Sequence, residues 1–140
     1  MTAQIRDFAI ADYGLAIAMW QSEASVGLSS ADSQDAVARF LARNPGLSKV
    51  VVVDGQLAGT LLCGHDARRG YLYHLYVAPQ FRRRGLGSKL VDACLQALGK
   101  EGILKCHLFI FRKNESGKLF WKSAEWIRRA DIEVFSRDVK

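Results

Sequence analysis

Cysteine and proline are scarce in this 140-residue chain, at three and two residues. Cys63, Cys94 and Cys106 are odd in number and none stands in a C-x-x-C pair. That argues against a disulfide framework and for reduced thiols in a cytoplasmic setting. Cys63 lies near His65, and Cys106 next to His107, but neither spacing is that of a zinc site, so no metal is expected. Long apolar runs are absent as well, and the opening residues 1–8 are too polar for a signal peptide, so no membrane association is expected. The net charge of +6 comes from short clusters, Arg68-Arg69, residues 82–84 and Arg128-Arg129, with acidic residues between them. A nucleic-acid binder would ordinarily carry a continuous basic stripe or a known module, and nucleic acid is not the expected partner. Two familiar phosphate loops are missing too. There is no G-x-x-x-x-G-K-[ST], and Gly85, Gly87 and Ser88 supply only half of a dinucleotide fingerprint.

What the chain does have is a hydrophobic content of 49%, too high for disorder. Its length suits one domain, residues 1–140, with a single core. The most informative stretch is residues 71–99. Residues 71–77, rich in aromatic and β-branched types, predict a strand that Pro79 ends, because proline has no N–H for a sheet ladder. From Leu86 the apolar positions Leu86, Leu90, Cys94 and Leu98 recur every four residues, predicting a helix with Gly99 at its cap. Between them lies Arg82-Arg83-Arg84-Gly85-Leu86-Gly87. Two glycines let the backbone turn sharply, so that several N–H groups converge at a helix start. Such a place favours an anion through its orphan donors and the helix dipole. Three arginines add charge-assisted contacts.

This stretch resembles the acetyl-CoA-binding core of the GNAT superfamily of N-acetyltransferases. The family loop pattern [QR]-x-x-G-x-[GA] is matched by Arg82, Gly85 and Gly87. The hydrophobic-x-Val-x-Pro run that closes the family's preceding strand is matched by Leu75-Tyr76-Val77-Ala78-Pro79. The resemblance implies acetyl-CoA as acetyl donor, with the pyrophosphate held by Arg82, Arg83, Arg84, Gly85, Leu86, Gly87 and Ser88. It also implies that the pantetheine arm lies along the strand Leu75, Tyr76 and Val77, bonded to its backbone like an added β-strand. Basic pairs around a cofactor with several phosphates then account for the charge.

The rest of the chain follows the same order. A short strand is expected at residues 5–8, then a helix capped by Asp12 and running to about Ser22, then a second starting at Asp32 or Ser33 and stopped by Asn44-Pro45-Gly46. Lys49–Val53 reads as a buried strand, Asp54-Gly55 as a two-residue hairpin turn, and residues 56–64 as the returning strand. After Gly99 come an expected strand at residues 104–111, a helix capped by Asn114, and two short strands in the tail, residues 126–139. The resulting expectation is an α/β fold of the GNAT type. Its mixed, mostly antiparallel sheet is splayed between the fourth and fifth strands and flanked by four helices.

Catalytic residues are less plainly marked. An amine of pKa ~10.4 is almost wholly protonated at neutral pH, so transfer needs a general base, worth roughly 10²–10⁴ in rate. Family members often place a Glu or His four residues before the Val of the splayed strand, and here that position is Tyr73, a poor base. His74 is next to it, and imidazole suits the task. Strict alternation turns His74 to the other face of the sheet, unless a β-bulge brings it back. The family helix N-x-x-A-x-x-F-Y, with its Tyr as acid for the leaving thiolate and a Gly-Phe pair after it, is answered by Asn114, Gly117, Phe120 and Trp121, then Glu125-Trp126. Indole has no titratable proton to give. Asn114 is counted with the cofactor-binding positions and Trp121 with the catalytic ones on this match alone.

The function so implied is acetyl transfer from acetyl-CoA to a primary amine by direct attack in a ternary complex. A CoA-binding regulatory domain that has lost catalysis is the alternative, and a basic nucleic-acid-binding domain a weaker one. The acceptor, a small molecule or a peptide amine, is not legible, and a homodimer stays open.

Overall fold

The computed structural model describes residues 2–140, so Met1 of the span read as one domain lies outside it. In chain order the elements are β1 (Ala3–Asp7), α1 (Tyr13–Gln21), α2 (Gln34–Arg43), β2 (Lys49–Val53), β3 (Gln56–His65), β4 (Gly70–Val77), α3 (Leu86–Lys100), β5 (Cys106–Leu108) and α4 (Glu115–Ser123). Short 3-10 turns stand at Ile10–Asp12, Ser30–Asp32 and Pro79–Phe81. Two compact units divide the chain. The first runs to Phe109 and holds the sheet with α1 to α3, and the second, Ile110–Lys140, holds α4.

In the first unit the sheet order is β1-β2-β3-β4-β5, antiparallel except for the parallel last pair. Asp54 and Gly55, both at positive φ, make the tight β2–β3 turn that their identities predict. Alternation along β3 sorts the two faces. Thr60 meets Trp20 of α1, and Gly64 lies against Phe40 of α2, so α1 and α2 cover one face. Leu61 and Cys63 turn the other way, and Cys63 meets Cys94 of α3. The core is correspondingly dense. Trp20, Val50, Val51, Leu61, Cys63, Leu90 and Cys94 are wholly buried.

β4 and β5 pair over only three positions, Gly70 with Cys106 to Leu72 with Leu108. From Tyr73 onward β4 has a partner on the β3 side alone, which is the expected splay. The strand expected at residues 104–111 is therefore shorter, because a strand lasts only while its ladder does; Leu104, at its start, is 90% exposed. Two other expectations are corrected. Asp12 does not cap α1. Its carboxylate turns back to the Ala9 N–H and to Arg6, whose guanidinium holds it below the usual carboxylate range. Gly99 lies inside α3, and the left-handed residue that ends the helix is Gly102, at φ +80°. There the Ile103 N–H returns to Leu98 O and the Gly102 N–H to Gly99 O, with Leu98 and Ile103 both buried.

The second unit has α4 capped as expected, Asn114 Oδ1 accepting the Gly117 N–H at 2.9 Å. Its tail contains no strand among the described residues, and the expected pair at residues 126–139 is not formed. Ile132, Val134 and Phe135 are exposed, so the sequence had the residue types of a strand without a ladder for them.

Candidate active site

The sharpest feature of β4 is a bulge. Thr60 stands opposite Tyr76 and Leu62 opposite Tyr73, so β3 passes one residue, Leu61, while β4 passes two, His74 and Leu75. His74 takes the extra step at φ +57°, a conformation that costs a non-glycine residue about 1–3 kcal/mol and persists only when its surroundings hold it. The holding contacts are on the α1 side. Thr60 Oγ1 donates to His74 O at 3.0 Å while accepting from Trp20 Nε1 at 2.9 Å, and the Trp20 ring lies 4.8 Å from the imidazole. His74 thus shares a face with Tyr73, which meets Phe40 edge-on, and with Tyr76, whose hydroxyl reaches Ser22. Strict alternation had placed His74 on the opposite face. The imidazole Nε2 is 2.6 Å from Asp32 Oδ1, and both side chains are largely buried. Nothing in the sequence pattern linked Asp32, 42 positions away, to this site.

The other titratable candidates point elsewhere. Burial pushes the Tyr73 phenol above its ordinary range, so it is a still poorer base than an exposed tyrosine. The Cys63 thiol is pushed up by its hydrogen bond with Cys94 and by burial, and burial raises Cys106 to about 12. None of these offers a thiolate at neutral pH, and no cluster of three His, Cys, Asp or Glu among the described residues could hold a metal.

Where β4 leaves β5, its edge opens. The Ala78 N–H bonds Ala58 O on β3, so alternation turns the N–H and C=O of Val77 to the open edge. Arg82 reaches that edge from the loop. Its Nε donates to Val77 O at 2.7 Å, its guanidinium lies over the Tyr76 ring, and its far nitrogen is 3.5 Å from Glu23. Arg84 lies over Phe81. Gly85, at φ +76°, opens α3, and a Cβ built on it meets no atom within 4 Å. A 15-residue helix with an open glycine before it, flanked by three exposed arginines, fits a phosphate-bearing ligand. Leu86 is buried under the loop, and Gly87 and Ser88 form the first turn. In the second unit Trp121 packs edge-on against Phe120 and Trp126, each at 5.0 Å.

The model of the acetyltransferase (GNAT) family matches residues 15–124. A curated acetyltransferase of Pectobacterium atrosepticum is 30% identical over 113 residues, covering 81% of this chain and 79% of its own. Among solved structures, Ard1 from Thermoplasma volcanium superposes with a TM-score of 0.82 at 21% identity, over 93% of this chain and 86% of that one. The PaiA N-acetyltransferase of Thermoplasma acidophilum, solved with coenzyme A, gives 0.72 at 21% identity, over 89% of each chain. The chain belongs to the GNAT acetyltransferase family, and acetyl-CoA is its acetyl donor.

Proposed function

We propose that this protein is a single-domain N-acetyltransferase that acetylates a primary amine by direct attack in a ternary complex, with His74 as general base. The bulge at His74 carries the reading, because it turns an imidazole toward the face of Tyr73, where the family pattern puts its base. Acetyl-CoA supplies a thioester: the amine nitrogen bonds to the acetyl carbon, the C–S bond breaks, the sulfur leaves with the electron pair, and the proton that the nitrogen sheds on becoming an amide is matched by the one that turns the thiolate into the free thiol. The chain's own part is to move one proton and to hold the two reactants. His74 takes the proton of the acceptor ammonium, directly or through one water, and returns it to solvent. The open backbone edge at Leu75 and Val77 orients the pantetheine arm, with the Tyr76 backbone between them turned to β3, and residues 82–88 hold the phosphates, with Arg82 bracing the strand edge as well. Raised thiol pKa values at Cys63 and Cys106 support attack by the amine itself rather than an acyl-cysteine.

Three reduced cysteines suit a cytoplasmic setting. The acceptor is a small-molecule or peptide amine. A panel of amines scored by acetyl-CoA-dependent release of free thiol tests the proposal. Turnover is expected with at least one class of amine, and His74→Ala is expected to lower kcat/KM by roughly 10²-fold or more. Coenzyme A binding with no turnover on any amine favours the regulatory reading instead.

A further inference from the structure

The base assignment leaves one strong contact unexplained. A histidine in a strand needs no carboxylate to pack, yet Asp32 meets His74 Nε2 at 2.6 Å with only 9% of its own surface exposed. Every acceptor on Asp32 is engaged. Oδ1 takes the imidazole, Oδ2 accepts the Ser29 N–H at 2.9 Å, and the backbone oxygen accepts the Tyr13 hydroxyl at 2.6 Å. Asp32 is therefore anchored through its backbone from α1 and through its carboxylate from the turn that precedes α2, and the carboxylate faces β4 in one orientation.

We infer that Asp32 is a positioning residue for His74, fixing the imidazole tautomer so that Nδ1 is the nitrogen left to receive the acceptor's proton. The inference rests on the base assignment above. A carboxylate oxygen only accepts, so the hydrogen of this bond sits on Nε2, and a neutral ring then carries its lone pair on Nδ1. When Nδ1 takes the proton, the imidazolium has a negative partner already in contact, with no reorganisation needed. The other groups around His74 do not compete for Nε2. Trp20 of α1 and Thr60 of β3 do not titrate, and Thr60 is committed to the Trp20 indole and the His74 carbonyl. Tyr13 is held on the Asp32 backbone, and Tyr76, on the same strand, is held on Ser22. Tyr73, the remaining neighbour, has its phenol pushed upward by burial and stays protonated at neutral pH. The contact is more than a clasp between the α1–α2 connection and β4. A clasp would need only a hydrogen bond, whereas this one sets which ring nitrogen is basic.

The test uses Asp32→Asn, Asp32→Glu and His74→Ala in the full chain, with ¹⁵N NMR of the imidazole in the wild type and in Asp32→Asn. The neutral ring of the wild type is expected to carry the Nε2–H signature. Asp32→Asn is expected to lose that preference and to lower kcat roughly 10²-fold, with little change in KM for acetyl-CoA. Asp32→Glu should recover part of the loss. The double variant His74→Ala with Asp32→Asn should be no slower than His74→Ala alone, since the two act as a unit. If His74→Ala turns over normally, the base assignment fails and this inference with it. If His74→Ala is slow while Asp32→Asn keeps the wild-type kcat, only this inference is overturned. Should Asp32→Asn not fold, the wild-type spectrum decides: an Nδ1–H ring sinks the proposal.

Discussion

Gly85 and Glu125 both stand at a left-handed φ, +76° and +70°, one opening α3 and the other closing α4. Around Glu125 the chain turns as it does around Gly102. The Trp126 N–H returns to Trp121 O and the Glu125 N–H to Lys122 O, with Trp121 and Trp126 in contact across the turn. At Gly85 the chain has used the one residue for which the left-handed region is free. At Glu125 it has left a side chain there, against a cost of about 1 kcal/mol. The difference teaches what each turn is for. Where the backbone has to come close to a charged ligand, the role proposed for Gly85, a Cβ and an extra charge are both harmful. Where the turn only reverses the chain and lets two indoles meet, a side chain pointing to solvent is tolerated.

The largest test of that comparison puts the second turn's residue into the first. Gly85→Glu sets a strained backbone and a negative charge at the start of α3, where the phosphates are expected. Losing two charge-assisted hydrogen bonds, at roughly 1.5–3 kcal/mol each, weakens acetyl-CoA binding by more than about 10²-fold. Gly85→Ala carries the strain without the charge and should lose far less. Calorimetric affinity unchanged in a natively folded Gly85→Glu would falsify the phosphate loop.

This loop was also the most legible part of the sequence, and the reason is physical. A turn that needs glycine, and a helix that repeats every four residues, are local demands, and Gly85, Leu86, Leu90, Cys94 and Leu98 satisfy them within one stretch. The bulge at His74 is a property of two strands. It exists because β3 supplies one residue where β4 supplies two, and neither strand read alone reveals it. The contact of Asp32 with His74 joins a 3-10 turn to a strand far along the chain, so only the folded topology brings them together. The tail shows the opposite failure. Its β-branched and aromatic residues at 132–135 satisfy strand propensity, but propensity without a neighbouring strand makes no ladder. Gly99 and Gly102 were separable only by hydrogen bonds, since either spacing can end a helix.

A smaller effect is expected at the other side of the comparison. The sequence resemblance aligns Trp121 with the family's tyrosine, and its indole is committed to Phe120 and Trp126. Trp121→Tyr restores a titratable hydroxyl and removes part of that contact. A thiol of pKa ~8.5 leaves well without an acid, so kcat at saturating acetyl-CoA should stay within roughly threefold of wild type. Trp121→Phe should behave alike, which separates the hydroxyl from the loss of bulk. A tenfold gain in the Tyr variant alone would place the barrier at departure of the thiolate.

The smallest expected effect comes from the reverse exchange, Glu125→Gly. It relieves the left-handed strain at an exposed position and leaves the two return hydrogen bonds and the Trp121–Trp126 contact in place. Glycine gives back part of the gain through the larger entropy of the unfolded chain, so the net stabilisation should be about 0.5 kcal/mol or less. The removed carboxylate also lay next to the negative end of the α4 dipole, where an acid is unfavourable, and its loss acts in the same direction. Chemical denaturation should register the shift as a higher midpoint with an unchanged slope, while kcat and the affinity for acetyl-CoA stay at wild-type values. A destabilised Glu125→Gly would mean that Glu125 contributes something in the folded state that outweighs its strain, and the two left-handed turns would then differ in more than their need to meet a ligand.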